Sequence, residues 1–338
     1  MAKRVTIKSL AEAVGVSTST VSNAYNRPDQ LSTELRDRIL STAATLGYAG
    51  PDAAGRSLRS GRAGAVGVLL TEALSYAFSD PFAVRFLAGA AAAVERTDNS
   101  IVVLPATAAA VQRANVDALA TLCVHDDHDA VRAATIRGLR LVGTAQSDAP
   151  DSWWVAIDDR EAGRLLGRHL SRLGHRRVVL LLDNGEQPGT ITTDLDPATV
   201  LDPDSNARWR GLCETMPGAV ITTASGGYNS YASGRAAGPG VLDQQERPTA
   251  VIAISDVLAL GFLDAMRDRG LEPGRDISVA GFDDISGADT AGLTTVRQPI
   301  EEKGRLVGEL LLDPDHDQRQ MLLPIELVVR ASTGPAPA

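Results

Sequence analysis

Residues 17–26 read STSTVSNAYN. Seven of these ten side chains, Ser17, Thr18, Ser19, Thr20, Ser22, Asn23 and Asn26, end in a short hydroxyl or carboxamide. Such residues are weak helix formers, because their polar heads compete with the backbone for hydrogen bonds. Their chemistry is outward hydrogen bonding to a partner that approaches closely. Thr18, Ser19 and Asn23 fall on the outer side of a helix whose inner side carries Val21 and Ala24. Other clusters with reactive residue types are sparse. HDDHD at 125–129 gathers metal-ligating residue types, but they lie in one local run and read as solvated groups at a strand end. The sequence contains no GxxxxGK[ST] phosphate loop and no GxSxG nucleophile elbow, and no other His/Cys cluster suits a metal. Cys123 and Cys213 are far apart and read as two buried free thiols of a reducing compartment.

Three short helices must position the polar stretch. Thr6 can cap a helix over 7–14, with Ile7, Leu10, Ala11 and Val14 on one face. Gly15 supplies a turn, and Ser17 caps a second helix over 18–25. Ser32 caps a third over 33–46, with Leu35, Ile39, Ala43 and Leu46 inward and Gly47 as the stop. Residues 50–64, GPDAAGRSLRSGRAG, then read as a linker with room for a short helix near 53–59. Gly55 weakens that helix by roughly 1 kcal/mol relative to Ala.

Beyond the linker the pattern changes. Apolar runs at 65–70, 100–104, 119–124, 139–144 and 154–157 read as buried strands, with a helix over 81–96 between the first two. A second series follows at 176–182, 219–223, 249–254 and 276–282. Strands alternating with helices imply parallel sheets covered on both faces. About 270 residues exceed one open sheet of ordinary size, so two lobes are expected, with a cleft at the carboxyl ends of their strands. Residues 184–206 read as an irregular acidic surface loop.

Charge divides the same way. The full chain of 338 residues has a formal net charge of −9. Residues 1–62 carry nine basic and five acidic side chains, a net of +4, and the remainder carries 24 and 37, a net of −13. A basic head on an acidic body suits a head that alone approaches a polyanion. No stretch is apolar enough for a bilayer span, and the opening MAKRVTIKSL does not read as a signal peptide, so the expected location is cytoplasmic.

Several segments together resemble the LacI/GalR family of bacterial transcription regulators. They are VTIKSLAEAVGVSTSTVSNAYN at 5–26, SLRSGRAGAVGVLL at 57–70 and AGRLLGRHLSRLGHRRVVLL at 162–181. Residues 249–284 and LTTVRQPI at 293–300 complete the set. The resemblance implies an all-α helix-turn-helix head joined to a bilobed α/β body of two doubly wound parallel-sheet lobes, similar to periplasmic binding proteins. The implied domains are a DNA-binding unit at 1–49, a hinge helix or linker at 50–63, and an effector-binding and dimerisation domain at 64–338. Lobe one covers about 64–158 and lobe two about 159–290, with crossover segments at 291–330.

The resemblance also implies partners and roles: double-stranded operator DNA, a small-molecule effector that could be sugar-like, and a second copy of the chain, with no cofactor, metal or membrane. It places Thr18, Ser19 and Asn23 at base edges in the major groove, where Asn pairs with adenine and Thr can touch thymine's methyl. Thr6, Ser17, Thr20, Ser22, Asn26, Arg27 and Ser32 become candidates for the phosphate backbone. In the hinge, Leu58 would wedge between base pairs from the minor groove, flanked by Arg56 and Arg59. The short polar end RASTGPAPA suggests a dimer without an added oligomerising tail. The effector would meet Arg208, Asn229, Ser255, Asp256, Asp283 and Gln298 from the second lobe and crossover. Phe78, Ser79 and Asp80 would face it from the loop after the first strand. Family members often carry an aromatic residue where this chain has Asn229, with Tyr228 beside it. Either Tyr228 swings in or the ligand lacks a face to stack on. Rival readings are an α/β enzyme, which would turn over a substrate, and a small-molecule-binding protein without a DNA role.

Overall fold

The computed structural model describes residues 5–50, 61–192 and 203–337. It divides into a unit ending at Gly64 and a unit beginning at Ala65. The expected hinge residues Arg56, Leu58 and Arg59 lie outside the described residues.

The head contains helices α1 (Ile7–Val14), α2 (Thr18–Asn26) and α3 (Thr33–Leu46). Each begins at the anticipated cap. Thr6 accepts from the Ser9 amide at 3.2 Å while Ser9 Oγ accepts from the Thr6 amide at 2.9 Å, a reciprocal capping box. Ser17 and Ser32 accept from the Thr20 and Leu35 amides. Gly15 and Gly47 end α1 and α3 with φ of 78° and 71°, a left-handed conformation that a Cβ would strain. Leu10, Ala11, Val21, Ala24, Ile39 and Ala43 form the core, with Ile7, Val14, Leu35 and Tyr48 packed at its edge. Leu46 was expected inward but is 40% exposed at the last residue of α3, and it is not among the residues of the head's core.

The body is built on two sheets. Lobe one holds the strands β1 (Ala65–Leu70), β2 (Ser100–Pro105), β3 (Ala118–Leu122), β4 (Arg140–Gly143) and β5 (Trp153–Ile157). The helices α4 (Pro81–Val94), α5 (Ala108–Arg113) and α6 (Asp129–Ile136) connect them. After α7 (Asp159–Arg172), lobe two begins with β6 (Arg177–Leu182) and β7 (Ile191–Thr192), then α8 (Pro203–Thr215) and β8 (Val220–Ser225). It continues through α9 (Tyr231–Ala236), α10 (Gly238–Leu242), β9 (Ala250–Ala253), α11 (Asp256–Arg267), β10 (Ser278–Asp283) and β11 (Thr294–Arg297). The chain then returns to lobe one as α12 (Ile300–Leu312) and β12 (Gln320–Leu323), and crosses back as β13 (Glu326–Val328).

Sheet order is β12-β5-β4-β3-β1-β2 in lobe one and β13-β11-β10-β9-β6-β8-β7 in lobe two. Every described pairing is parallel except those of the edge strands β7 and β13. Strand order reverses at β1 and at β6, so their carboxyl ends open onto crevices. Leu180, Val251, Val279, Phe262 and Leu166 lie in the core of lobe two. In lobe one, Val68, Ala120, Val155 and Phe86 fill one face of the sheet, and Leu69, Leu119 and Val111 the other.

Two expectations give way here. The presumed loop at 184–206 contains the short strand β7, and α8 has begun by Pro203; residues 193–202 lie outside the described residues. Cys123 and Cys213 are exposed, not buried, and neither is in a disulfide. Cys213 lies on the outer face of α8, and Cys123 lies just past the end of β3 with φ of 54°.

Candidate functional site

In the head, Ser17, Thr18, Ser19, Asn26, Arg27, Thr6 and Ser32 are exposed, while Thr20 and Asn23 are half-buried. Ser17 Oγ lies 2.6 Å from Ser19 Oγ and 2.8 Å from Thr20 Oγ1, so the three hydroxyls form one cluster at the start of α2. That end of the helix carries the positive pole of its dipole, which suits an anion such as phosphate. Asn23 projects one turn later and donates to Gln30 Oε1 at 3.3 Å. Ser22 departs from expectation. It is buried, and it accepts from Asn26 Nδ2, which bonds both its carbonyl and its hydroxyl. It faces the interior because the rotation that buries Val21 carries its neighbour inward.

In the body, a cavity of about 480 Å³ opens where the carboxyl ends of β1, β3, β4, β5, β6 and β10 meet. This size suits a small organic ligand. From lobe one come Tyr76, Asp80, Phe82, Asp126, Asp127 and Gln146, with Glu72 and His125 beside them. Asp159 follows β5, Asp183 follows β6, and Asp204, Ser205 and Arg208 come from α8. Asn229, Ser255, Asp283, Gln298 and Lys303 also line it.

Arg208 is the best-held of these groups. Its Nε donates to Asp159 Oδ1 at 2.7 Å and its Nη1 to the Ile254 carbonyl at 3.0 Å. The guanidinium lies 4.3 Å from the centre of the Phe282 ring. Burial works against its charge, but Asp159, Asp283 and Asp204 outweigh burial and hold it above its ordinary pKa. The backbone brings it there through two glycines. A Cβ on Gly163 of α7 would collide with the Arg208 carbonyl, and one on Gly211 of α8 with the Arg160 carbonyl, so the two helices touch along their backbones.

Asp283 is 8% exposed. Burial pushes its carboxyl up to about 7, against the opposing pull of Arg208 and the hydrogen bond from Gln298 Nε2 at 2.6 Å. Its φ is 112° and that of Asp284 is 54°, two consecutive strained residues at the end of β10. Asp284 is anchored by Arg297 and Arg330, each at 2.7 Å, and its carbonyl accepts from Arg85 of lobe one at 3.2 Å. Gln298 is 4% exposed, and its Oε1 has no hydrogen-bond partner among the described residues. An orphaned buried acceptor costs stability unless something supplies a donor.

A second polar chain ties the lobes together. Ser255 Oγ donates to Asn229 Oδ1 at 2.5 Å, and Asn229 Nδ2 donates to Tyr76 Oη at 2.5 Å. Burial raises the Tyr76 phenol pKa, and Asp80 adds to it. Asp80 accepts from the Ala83 amide at 2.8 Å as the cap of α4, and burial raises its pKa.

Three expected ligand contacts are not at the cavity. Phe78 is 73% exposed and Ser79 turns its hydroxyl back onto the Ser75 carbonyl. The single turn at Leu74–Phe78 points Tyr76 inward instead, with Phe82 following. Asp256 is fully buried; Ser255 is the cap of α11, while Asp256 accepts from the Ile285 amide at 3.0 Å and from Thr295 Oγ1 at 2.6 Å. Burial and the Asp283 charge push its pKa well up. Tyr228 stays outside, 75% exposed, so Asn229 is the residue that faces the cleft. The residues that sequence reading missed, Tyr76, Asp126, Asp127, Asp159 and Asp183, all follow strand or strand-loop ends on the cleft side. That placement was the signal that could have found them. His125 lines the cavity and His128 caps α6, and no group of His, Cys, Asp or Glu among the described residues could hold a metal ion.

A three-helix unit with an exposed polar second helix, followed by a two-lobed α/β receptor, defines a class: DNA-binding transcription regulators with an appended sensor fold. Residues 6–50 match the description "Bacterial regulatory proteins, lacI family" and residues 168–333 match "Periplasmic binding protein-like domain". An HTH-type transcriptional regulator of Mycolicibacterium smegmatis is 37% identical over 99% of this chain and 98% of its own. The HTH-type transcriptional repressor PurR of Edwardsiella ictaluri is 30% identical over 98% of each. A crystal structure of a LacI-family transcriptional regulator from Corynebacterium glutamicum is 30% identical, covers 99% of this chain and 100% of its own, and superimposes with a TM-score of 0.71. The chain belongs to the lacI family of bacterial regulatory proteins. It is a DNA-binding transcription regulator and not an enzyme.

Proposed function

We propose that the protein is a repressor that binds a near-palindromic operator as a homodimer in the cytoplasm and is controlled by a small molecule held in the interlobe cleft. The observation that carries the effector reading is the trio of half-buried Arg208 with buried Asp283 and Gln298. It faces a cavity of ligand size with one acceptor left unsatisfied. In this reading Thr18, Ser19 and Asn23 meet base edges, while Ser17, Thr20, Thr6, Asn26, Arg27 and Ser32 meet phosphates. Arg56, Leu58 and Arg59 serve the minor groove. One head offers few base contacts, so two-fold pairing is the economical route to specificity. The ligand acts only through its difference in affinity for the DNA-ready and DNA-incompetent arrangements.

Footprinting on the DNA flanking the protein's own gene tests the operator half. The expected result is a symmetric footprint of two half-sites, with affinity falling steeply with salt, at a log–log slope of roughly −0.9 per phosphate neutralised. An asymmetric footprint from a single chain would refute the dimer. Asp283→Ala tests the effector half: operator binding persists and the response to ligand is lost.

A further inference from the structure

The cleft has a charge that its fold does not require. Among the described residues, eight that line it are carboxylates, against two cations, Arg208 and Lys303. Arg208 is already engaged by Asp159. Burial raises the pKa of both Asp283 and Asp80, in Asp283 against the opposing pull of Arg208. Gln298, 4% exposed, lies beside Asp283 with its Oε1 unpartnered among the described residues. Low-dielectric walls focus such a field onto whatever enters. An anion would meet repulsion from these carboxylates. A molecule rich in hydroxyls would supply the missing donors, and an ammonium group would also neutralise the field.

We propose that the cleft selects its ligand by charge: it takes a small hydroxyl-rich molecule without an anionic group, and binds an amine-bearing member of that class in preference to a phosphorylated one. This rests on the reading of the cleft as the effector site and specifies what that site accepts. Phe82 supplies an apolar wall, Arg208 donates to one hydroxyl, and Gln298 and Asp283 accept from others. The exposed rim pair Asp126 and Asp127 contributes to the field without holding the cavity's inner walls.

The test uses the full chain and a panel of glucose, galactose and mannose, each as the free sugar, the 2-amino-2-deoxy sugar and the 6-phosphate. Binding is read by calorimetry and thermal shift at low and high salt, with operator affinity measured in parallel. At least one hexose is expected to bind in its free or amino form, with the amino form at least tenfold tighter than the 6-phosphate at low salt and the gap narrowing at high salt. In the Asp126→Asn, Asp127→Asn double variant the gap narrows severalfold. A 6-phosphate that binds more tightly than its amino partner, or a preference indifferent to salt and to the rim variant, overturns the proposal while leaving the cleft as an effector site. Silence from every form, with operator affinity unmoved, overturns the proposal, while the effector reading is judged by the Asp283→Ala variant.

Discussion

Asp283→Asn is the sharpest probe of the cleft. The side chain is nearly isosteric, and its oxygen can still accept the 2.6 Å hydrogen bond from Gln298 Nε2, so the fold is retained. What changes is the proton. Burial holds the native carboxyl at about 7, against an ordinary value of 3.8. The folded state therefore binds a proton that the unfolded chain has released, through the window between those values. With the folded pKa raised, the stability linked to this group is fully present below about pH 4 and is lost as pH rises through 7. Values about three pH units apart, at roughly 1.4 kcal/mol each, set an upper limit of about 4 kcal/mol. The Asn variant has no such group. Urea unfolding of both proteins from pH 5 to 8.5 should give a stability difference, native minus variant, that falls steadily with pH and levels off near 8. Subtraction removes the titration of the remaining groups. Two curves that run parallel across the range would refute the claim that burial, and not a compensating cation, governs this carboxyl.

Other perturbations address separate links. Gly211→Ala places a methyl group against the Arg160 carbonyl, should cost about 1–3 kcal/mol by overpacking, and displaces Arg208; denaturation and ligand titration read the two effects. Tyr76→Phe removes the acceptor for Asn229 Nδ2 and should destabilise the body by about 1–3 kcal/mol, seen as a lower melting temperature. Ser17→Ala removes the cap of α2 and should cost about 1 kcal/mol, read as faster hydrogen exchange in that helix. Asn23→Ala, by contrast, should leave that exchange nearly unchanged and weaken specific DNA binding by about 1–3 kcal/mol.

The caps at Thr6, Ser17 and Ser32 were legible because capping is settled within four residues of chain. The strands were legible because a strand buried on both faces reads as an unbroken apolar run. Arg208, Asn229, Ser255, Asp283, Gln298 and Asp80 were anticipated near the ligand, and all of them line the cavity. The misplacements arose where direction mattered more than position. Phe78 and Tyr76 share one short turn, and only packing against lobe two decides which ring turns inward. Ser255 and Asp256 are adjacent at one strand-to-helix junction, yet one faces the cleft and the other is locked beneath it by Thr295 and Ile285.

The amino-acid sequence by itself determined the polar helix of the head, the alternation of strands and helices in the body, and the separation of basic from acidic charge. Each of these depends on spacing along the chain or on composition. Only the tertiary structure decided that Asp283 lies among carboxylates and beside an unsatisfied glutamine, with Arg208 held over Phe282. Those groups are separated by up to 90 residues in sequence, and their ionisation follows from burial and proximity. Both properties exist only once the two sheets bring their carboxyl ends together.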